Sequence, residues 1–440
     1  MKRSLFVCIG LITLAWFSGL FSDPRLAAAS APWVLRQEAL YLSGLLSFGL
    51  MSVAMVLATK PAWLETPFGG LDRIYRLHKW AGIAAVGFGA LHWLVELSDD
   101  LLKAWVGRSG RVPKLHDGGM LEMMRHFGKD LGEWAIYAVL LMLAISLWKR
   151  FPYQIWRYLH RVMPLLYLML AIHAVFLAPV QYWTQPVGAL LALLTLAGTI
   201  ASVVSLTGSI GRSRRHTGVI EEVRPVAAGI TEVVCRLPQR LKNYHAGQFA
   251  FVTFGSFEGA HPFTIAGVED DGCKLVFQIK ALGDYTGALA SHLQCGQPVT
   301  LQGPYGRFTL RRASARKRQI WIAGGIGVTP FLAWLEALQA TPQATPEADL
   351  YYSVRDSARD PFVARLKALC ASLPGIRLHV QDTDRDGALT LPALQRGAAP
   401  LRKAEIWFCG PQAFADTLRA ALRRSGARGV RFHQEMFEMR

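Results

Sequence analysis

Six stretches of apolar residues, each close to the length of a bilayer crossing, follow one another in the first 207 residues of this chain. A hydrocarbon core about 30 Å thick takes about 20 helical residues to cross. Backbone groups have no water to bond there, so only helices and closed barrels span it. Continuous apolar runs, rather than alternating ones, select the helix. The expected spans are about 4–22, 39–58, 78–97, 131–148, 158–178 and 187–207, the fourth being the shortest.

The cations fall on alternate loops. Lys2 and Arg3 precede the first span, and Lys60, Arg73, Arg76 and Lys79 separate the second from the third. Lys149, Arg150, Arg157 and Arg161 separate the fourth from the fifth, and Arg212, Arg214 and Arg215 follow the sixth. The positive-inside rule then places the N-terminus and everything after the sixth span in the cytoplasm. Basic loops on that side also meet anionic lipid. A net charge of +17 therefore has a membrane explanation and does not call for nucleic acid. No obligate protein partner is evident. The first span has a second reading as a signal peptide ending near Ala27–Ala31, although its apolar run is long for one. Loop 98–130 faces outward, with Arg108, Arg111, Lys114, His116, Arg125, His126 and Lys129; it reads as a solvated loop with a short interfacial helix or as part of an acceptor site. None of the six cysteines stands in an iron–sulfur spacing, and their mostly cytoplasmic placement argues against disulfides.

Of the twelve histidines, only His78, His92, His160 and His173 lie inside membrane-length stretches. An ionisable ring in lipid needs a partner, which makes it a functional candidate. His78 and His160 open the third and fifth spans from the cytoplasmic side, and His92 and His173 are level near the outer side. Imidazole is a common axial ligand of haem iron, so two bis-histidine haems stacked across the membrane are expected. The alternative is four histidines bonding separately across helices. Fourteen residues bring His92 back to within about 40° of His78, whereas thirteen leave His173 about 140° from His160 on an ideal helix. The second pair needs a distorted helix, and Pro164 is the expected cause. Arg76, Lys79, Arg157 and Arg161 are candidates for haem propionates or for lipid and topology roles.

Beyond a basic linker at 208–216 the pattern changes. Residues 217–312 alternate apolar and polar in short runs such as GVIEEV, ITEVVCRL, QFAFVTF and KLVFQIK, the signature of a small antiparallel barrel. Residues 316–440 alternate strands (RQIWIAGG, DLYYSVR, IRLHVQ, AEIWFCG) with helices near 330–340 and 361–372. That order implies a doubly wound parallel sheet. Gly324, Gly325, Gly327, Thr329 and Pro330 follow a strand and open a helix, where backbone can approach a pyrophosphate; a tight structural turn is the other reading.

His261, Pro262, Phe263, Thr264 and Ile265, with Gln248 and Phe249 before them and Gly283–Thr286 after, make this half resemble the ferredoxin–NADP reductase superfamily. The resemblance implies a FAD-binding barrel with Phe263 on the flavin ring, Thr264 at its N5 edge, and Thr286 and Gly287 at the pyrophosphate. Arginine is common in that family where this chain has His261. The resemblance also implies an NAD(P) site at Gly324–Pro330 and at Cys409, Gly410 and Pro411. Arg355, at the end of the second sheet strand, is the candidate for a 2′-phosphate contact, which favours NADPH over NADH. Phe437, with Glu435 nearby, corresponds to the terminal aromatic that shields the flavin, although three residues follow it. Cys409, Thr264 and Phe437 are the candidates nearest the chemistry.

Together the two halves resemble the ferric reductase and NADPH oxidase family. That implies a six-span haem domain at 1–207, a FAD barrel at 217–312 and an NAD(P) domain at 316–440. Electrons would run from NADPH through FAD and two b-type haems to an outer ferric chelate or dioxygen. The alternative is a cytoplasmic flavin reductase whose helices serve only as an anchor.

Overall fold

The computed structural model describes residues 2–113, 119–148, 150–227, 229–255, 259–313, 317–397, 401, 404–427 and 429–435. The chain forms two compact units, Met1–Phe68 with Arg73–Ile210 and Gly69–Asp72 with Gly211–Arg440.

Helices α1 (Lys2–Gly19), α2 (Ala31–Ala58), α3 (Ala62–Phe68), α4 (Leu71–Val106), α5 (Gly119–Leu147), α6 (Tyr153–His160), α7 (Met163–Leu177) and α8 (Pro186–Leu206) make up the first unit. Helices α2, α4, α5 and α8, and the stretch Gln154–Leu177, are long and apolar enough to cross a membrane. Arg3–Gly19 of α1 is apolar but shorter than these five. The expected first span is thus the short one.

Two boundaries differ from the sequence expectation. Helix α4 continues to Val106, and α5 already begins at Gly119, so the expected 98–130 loop shrinks to the residues between them. Charge pairing accounts for this: Lys103 Nζ meets Asp99 at 2.5 Å one turn away, and Arg111 Nη2 meets the same carboxylate at 2.8 Å. Polar residues outside lipid still favour helix when paired at this spacing. Lys114 and His116 lie outside the described residues, as does Lys149. The second difference is in the fifth span. The helix is interrupted at Arg161–Val162, and Pro164 sits in the first turn of α7, where a missing N–H costs nothing.

The core of this unit includes Phe48, Leu50, Met51, Met55, Val86, Val139, Leu166 and Tyr167. Tyr167 is fully buried and stacks on Phe48 with ring centres 5.4 Å apart. Its hydroxyl lies 3.0 Å from Ser52 Oγ and donates to Leu194 O at 3.1 Å, so the buried polar group is satisfied.

The second unit opens with a closed barrel of β1 (Arg215–Ala227), β2 (Ile230–Arg236), β3 (Phe249–Phe254), β4 (His261–Glu269), β5 (Lys274–Lys280) and β6 (Pro298–Tyr305). The order is β1-β2-β5-β4-β3-β6, with antiparallel pairs throughout. Helix α9 (Asp284–His292) lies between β5 and β6. A parallel sheet follows: β7 (Gln319–Gly324), α10 (Thr329–Ala340), β8 (Ala348–Val354), α11 (Pro361–Ala371), β9 (Ile376–Asp382), α12 (Thr383–Asp386), α13 (Leu391–Gly397), β10 (Glu405–Cys409), α14 (Gln412–Arg424) and β11 (Arg431–Gln434). Its strand order is β11-β10-β7-β8-β9. The chain winds outward from β7 through β8 to β9, then returns to the other side of β7 as β10. Trp321, Phe331, Trp334 and Trp407 fill one core, and Trp334 Nε1 donates to Ala246 O at 2.9 Å, joining α10 to the barrel.

Candidate functional site

The membrane unit brings the four span histidines together in two pairs. His78 and His92 project from α4, His160 ends α6, and His173 lies in α7. Ring centres are 6.1 Å apart for His78 and His160, and 6.2 Å apart for His92 and His173. The break at Arg161–Val162 removes the rotational mismatch, because the two histidines of the fifth span no longer share one helix.

The donor set fits haem iron. Two metal–imidazole bonds of about 2 Å, plus about 1.1 Å from each nitrogen to its ring centre, give roughly 6 Å between ring centres. Three rings use Nδ1 on a backbone carbonyl: His78 on Ala54 at 2.9 Å, His92 on Leu40 at 3.0 Å and His173 on Gly128 at 2.9 Å. That leaves Nε2 for a metal, the usual tautomer-fixing arrangement for ligating histidine. His92 and His173 line a cavity of about 560 Å³ together with Gly44, Gly89 and Gly132. Gly132 gives His173 its room: a Cβ there would stand 2.9 Å from Cγ of the ring and closer to Nδ1. The same cavity is lined by Glu96, Asp99, Asp100, Lys103, Lys129 and Glu133, charged residues of the expected outer loop and its flanks. Among the described residues no cluster of three or more His, Cys, Asp or Glu side chains is arranged to hold a metal ion, so the histidines stand as pairs.

In the second unit the flavin-motif residues lie on or beside β3 and β4. Thr264 and Ile265 are buried, whereas His261, Pro262 and Phe263 are half-buried. Phe249 pairs in register with Thr264, which sets the two motif segments side by side. His261 stacks on Tyr285 with ring centres 3.9 Å apart and planes 14° apart. Gln248 is buried and spends its amide on backbone: Nε2 donates to Gly306 O at 3.0 Å and Oε1 accepts from His245 N at 2.8 Å. It therefore shapes the rim of the site. Thr286 Oγ1 accepts from Leu282 N at 2.9 Å and Gly283 N at 3.2 Å, fixing the start of α9. A side chain at Gly287 would meet open space, so the helix start is accessible.

The nucleotide-motif residues meet at the point where the strand order reverses. Ala323 and Cys409 are register partners on the parallel neighbours β7 and β10. Gly324–Pro330 and Cys409–Pro411 therefore leave the carboxyl ends of adjacent strands, the crevice where open α/β sheets bind ligands. The packing there is backbone on backbone. A Cβ on Gly324 would stand 2.9 Å from Pro411 Cδ, and one on Gly327 would overlap the Cys409 carbonyl. Gly325 has φ +53°, a conformation that favours glycine. Thr329 and Pro330 are buried in the first turn of α10. Arg355 follows β8 and is exposed. Burial, and then Glu435, push the Cys409 thiol well above its ordinary pKa, so it stays protonated. Burial likewise pushes the Glu435 carboxyl well above the ordinary carboxylate range. Phe437 lies outside the described residues.

Lys280 escaped the sequence reading. It ends β5, yet its Nζ comes within 4.0 Å of where a Cβ on Gly325 would be. The approach joins barrel to sheet across more than forty residues of sequence, and no local pattern encodes it.

Three family models match the chain in succession: a ferric reductase like transmembrane component over residues 43–171, a FAD-binding domain over 220–311 and an oxidoreductase NAD-binding domain over 321–420. The ferredoxin–NAD(+) reductase component of the Xanthobacter autotrophicus alkene monooxygenase system is 28% identical over 225 residues, covering 49% of this chain and 67% of that protein. Methane monooxygenase component C of Methylosinus trichosporium is 31% identical over 172 residues, covering 38% of this chain and 46% of that protein. The chain spans about half to two thirds of the length of such curated relatives. Among solved structures, the cytochrome b5 reductase domain of Ulva prolifera nitrate reductase is similar, with 20% identity, a TM-score of 0.45, and coverage of 51% of this chain and 98% of that one.

Proposed function

We propose that this chain, a membrane protein with the ferric reductase/NADPH oxidase-type architecture, passes electrons from cytoplasmic NADPH or NADH through FAD and two b-type haems to an acceptor outside the membrane. The coarse function is transmembrane electron transfer by an NAD(P)H-dependent oxidoreductase: a ferric reductase-like membrane domain is joined to a FAD- and NAD-binding reductase module. The observation that carries the finer reading is the pair of imidazole pairs, with ring centres 6.1 Å and 6.2 Å apart.

The residues divide the work. Gly324–Pro330 and Cys409–Pro411 hold the dinucleotide at the switch point, with Arg355 at the 2′-phosphate. Pro262, Phe263 and Thr264 hold the flavin ring, and the start of α9 at Thr286 and Gly287 holds its pyrophosphate. Burial pushes the Cys409 thiol and the Glu435 carboxyl up, which disfavours negative charge on the nicotinamide side of the site. When bound, FAD links a two-electron donor to one-electron acceptors, and haem supplies one-electron transfer at each histidine pair. His78 and His160 are the entry pair, and His92 and His173 are the exit pair. The cavity beside the exit pair, with its charged residues, is where a ferric chelate or dioxygen would be met.

The test uses purified full-length protein, NADPH and both acceptors. Superoxide-dismutase-sensitive reduction of a reporter in air identifies dioxygen as acceptor, and ferric-chelate reduction without oxygen identifies iron. A purified protein without b-type haem absorbance would refute the proposal and restore the anchored flavin reductase.

A further inference from the structure

The four histidines are not held alike. His78, His92 and His173 each bond a main-chain carbonyl through Nδ1. His160 does not: among the described residues its buried Nδ1 has no hydrogen-bond partner. His160 is also the only one of the four at the end of a helix, immediately before the Arg161–Val162 break. A carbonyl contact fixes a ring's rotation as well as its tautomer, and His160 must be fixed in another way.

The ring of Trp156 lies against it. The two ring centres are 5.0 Å apart and the planes are 24° apart. Trp156 and His160 are four residues apart on α6, so both project from one face. Trp156 is itself anchored, because its Nε1 donates to Ser146 Oγ at 2.9 Å, and that hydroxyl donates to Met142 O at 2.6 Å. The anchor is on α5, outside the interrupted span. A chain of contacts thus runs from the α5 backbone through Ser146 and Trp156 to the His160 ring.

We infer that Trp156, held by Ser146, is the positioning residue for the inner haem ligand His160, replacing the carbonyl that orients each of the other three histidines. The inference rests on the two-haem reading above. Stacking fixes the plane of the ring but places no acceptor on Nδ1–H. His160 is therefore less electron-donating than its partner His78, and its hold depends on one aromatic side chain.

Full-length wild-type protein, Trp156→Leu, Trp156→Phe and Ser146→Ala are compared by low-spin haem EPR, redox titration and haem content. The inner signal is the one that survives His173→Leu. Trp156→Leu should loosen the inner haem about tenfold, the usual cost of losing a residue that supports a metal ligand. It should also change that haem's EPR signature and midpoint potential, with the outer signal unmoved. Trp156→Phe keeps the stacked ring but loses the bond to Ser146, so it and Ser146→Ala should each shift the signature in the same direction by less. If Trp156→Leu does not fold, the Ser146→Ala shift decides. Identical inner-haem spectra and potentials in wild type, Trp156→Leu and Ser146→Ala overturn the inference. Wild-type protein without two haems overturns instead the function proposed above.

Discussion

Gly132 is the glycine packed most tightly against a ring of the two histidine pairs. It lies on α5 where that helix meets α7 across the His173 ring. A Cβ added there would stand 2.9 Å from Cγ of His173 and nearer to Nδ1 and Cε1, whereas ordinary contact begins near 3.4 Å. Gly132→Ala must therefore move the ring by about half an ångström or more, against a tolerance of about 0.2 Å for a metal–ligand bond. The ring cannot follow freely, because its Nδ1 is tied to Gly128 O on the same α5 helix. Overpacking of this kind costs about 1–3 kcal/mol of stability, too little to unfold most domains, so the variant should be isolable. The assay is reduced-minus-oxidised b-haem absorbance per chain. Wild type should bind two haems and Gly132→Ala one, with the loss confined to the signal that His92→Leu also removes. Gly87→Ala, on an exposed face of α4 and with an added Cβ that meets nothing within 4 Å, is the control and should keep both. Full haem content and an unchanged spectrum in Gly132→Ala would refute the assignment of His173 as a ligand.

Two further predictions concern the reductase module. Burial alone would raise Asp349, but hydrogen bonds from His379, Arg377 and Arg318 outweigh it and hold this fully buried carboxyl well below its usual range. A depressed folded pKa adds stability above the unfolded value, near pH 4, that is lost as pH falls through the folded one. Asp349→Asn should therefore cost roughly 2–4 kcal/mol at pH 7, with the difference narrowing below about pH 4; hydrogen exchange across β8 at both pH values checks it. Arg355→Ala should raise KM for NADPH about tenfold, the loss of one charge-assisted phosphate contact, and leave KM for NADH unchanged. Equal changes for the two nucleotides would remove Arg355 from the 2′-phosphate.

Much of this arrangement is legible in the chain itself, because its signals are local. Apolar runs of bilayer length specify helices, and short alternating runs between glycines and prolines specify the barrel. The strand–glycine–helix order specifies the parallel sheet. What escaped depends on where individual helices end and on contacts between segments. The thirteen-residue spacing of His160 and His173 conflicts with a continuous helix, and the conflict ends where the helix breaks at Arg161–Val162, with Pro164 just inside the next one. The charged stretch after His92 reads as loop, yet it stays helical because Asp99 and Lys103 pair along it. Lys280 and Trp156 take their places through contacts with Gly325 and Ser146, neither of which belongs to the same helix or strand.

The central claim is that electrons leave by the His92/His173 pair after entering by the His78/His160 pair. Anaerobic NADPH titration of purified His173→Leu tests it in one preparation, by following the haem that remains and the reduction of an added impermeant ferric chelate on the outer side of sealed vesicles. The account predicts one haem per chain, fully reduced by NADPH, and outer reduction at background. Outer reduction at the wild-type rate would contradict it.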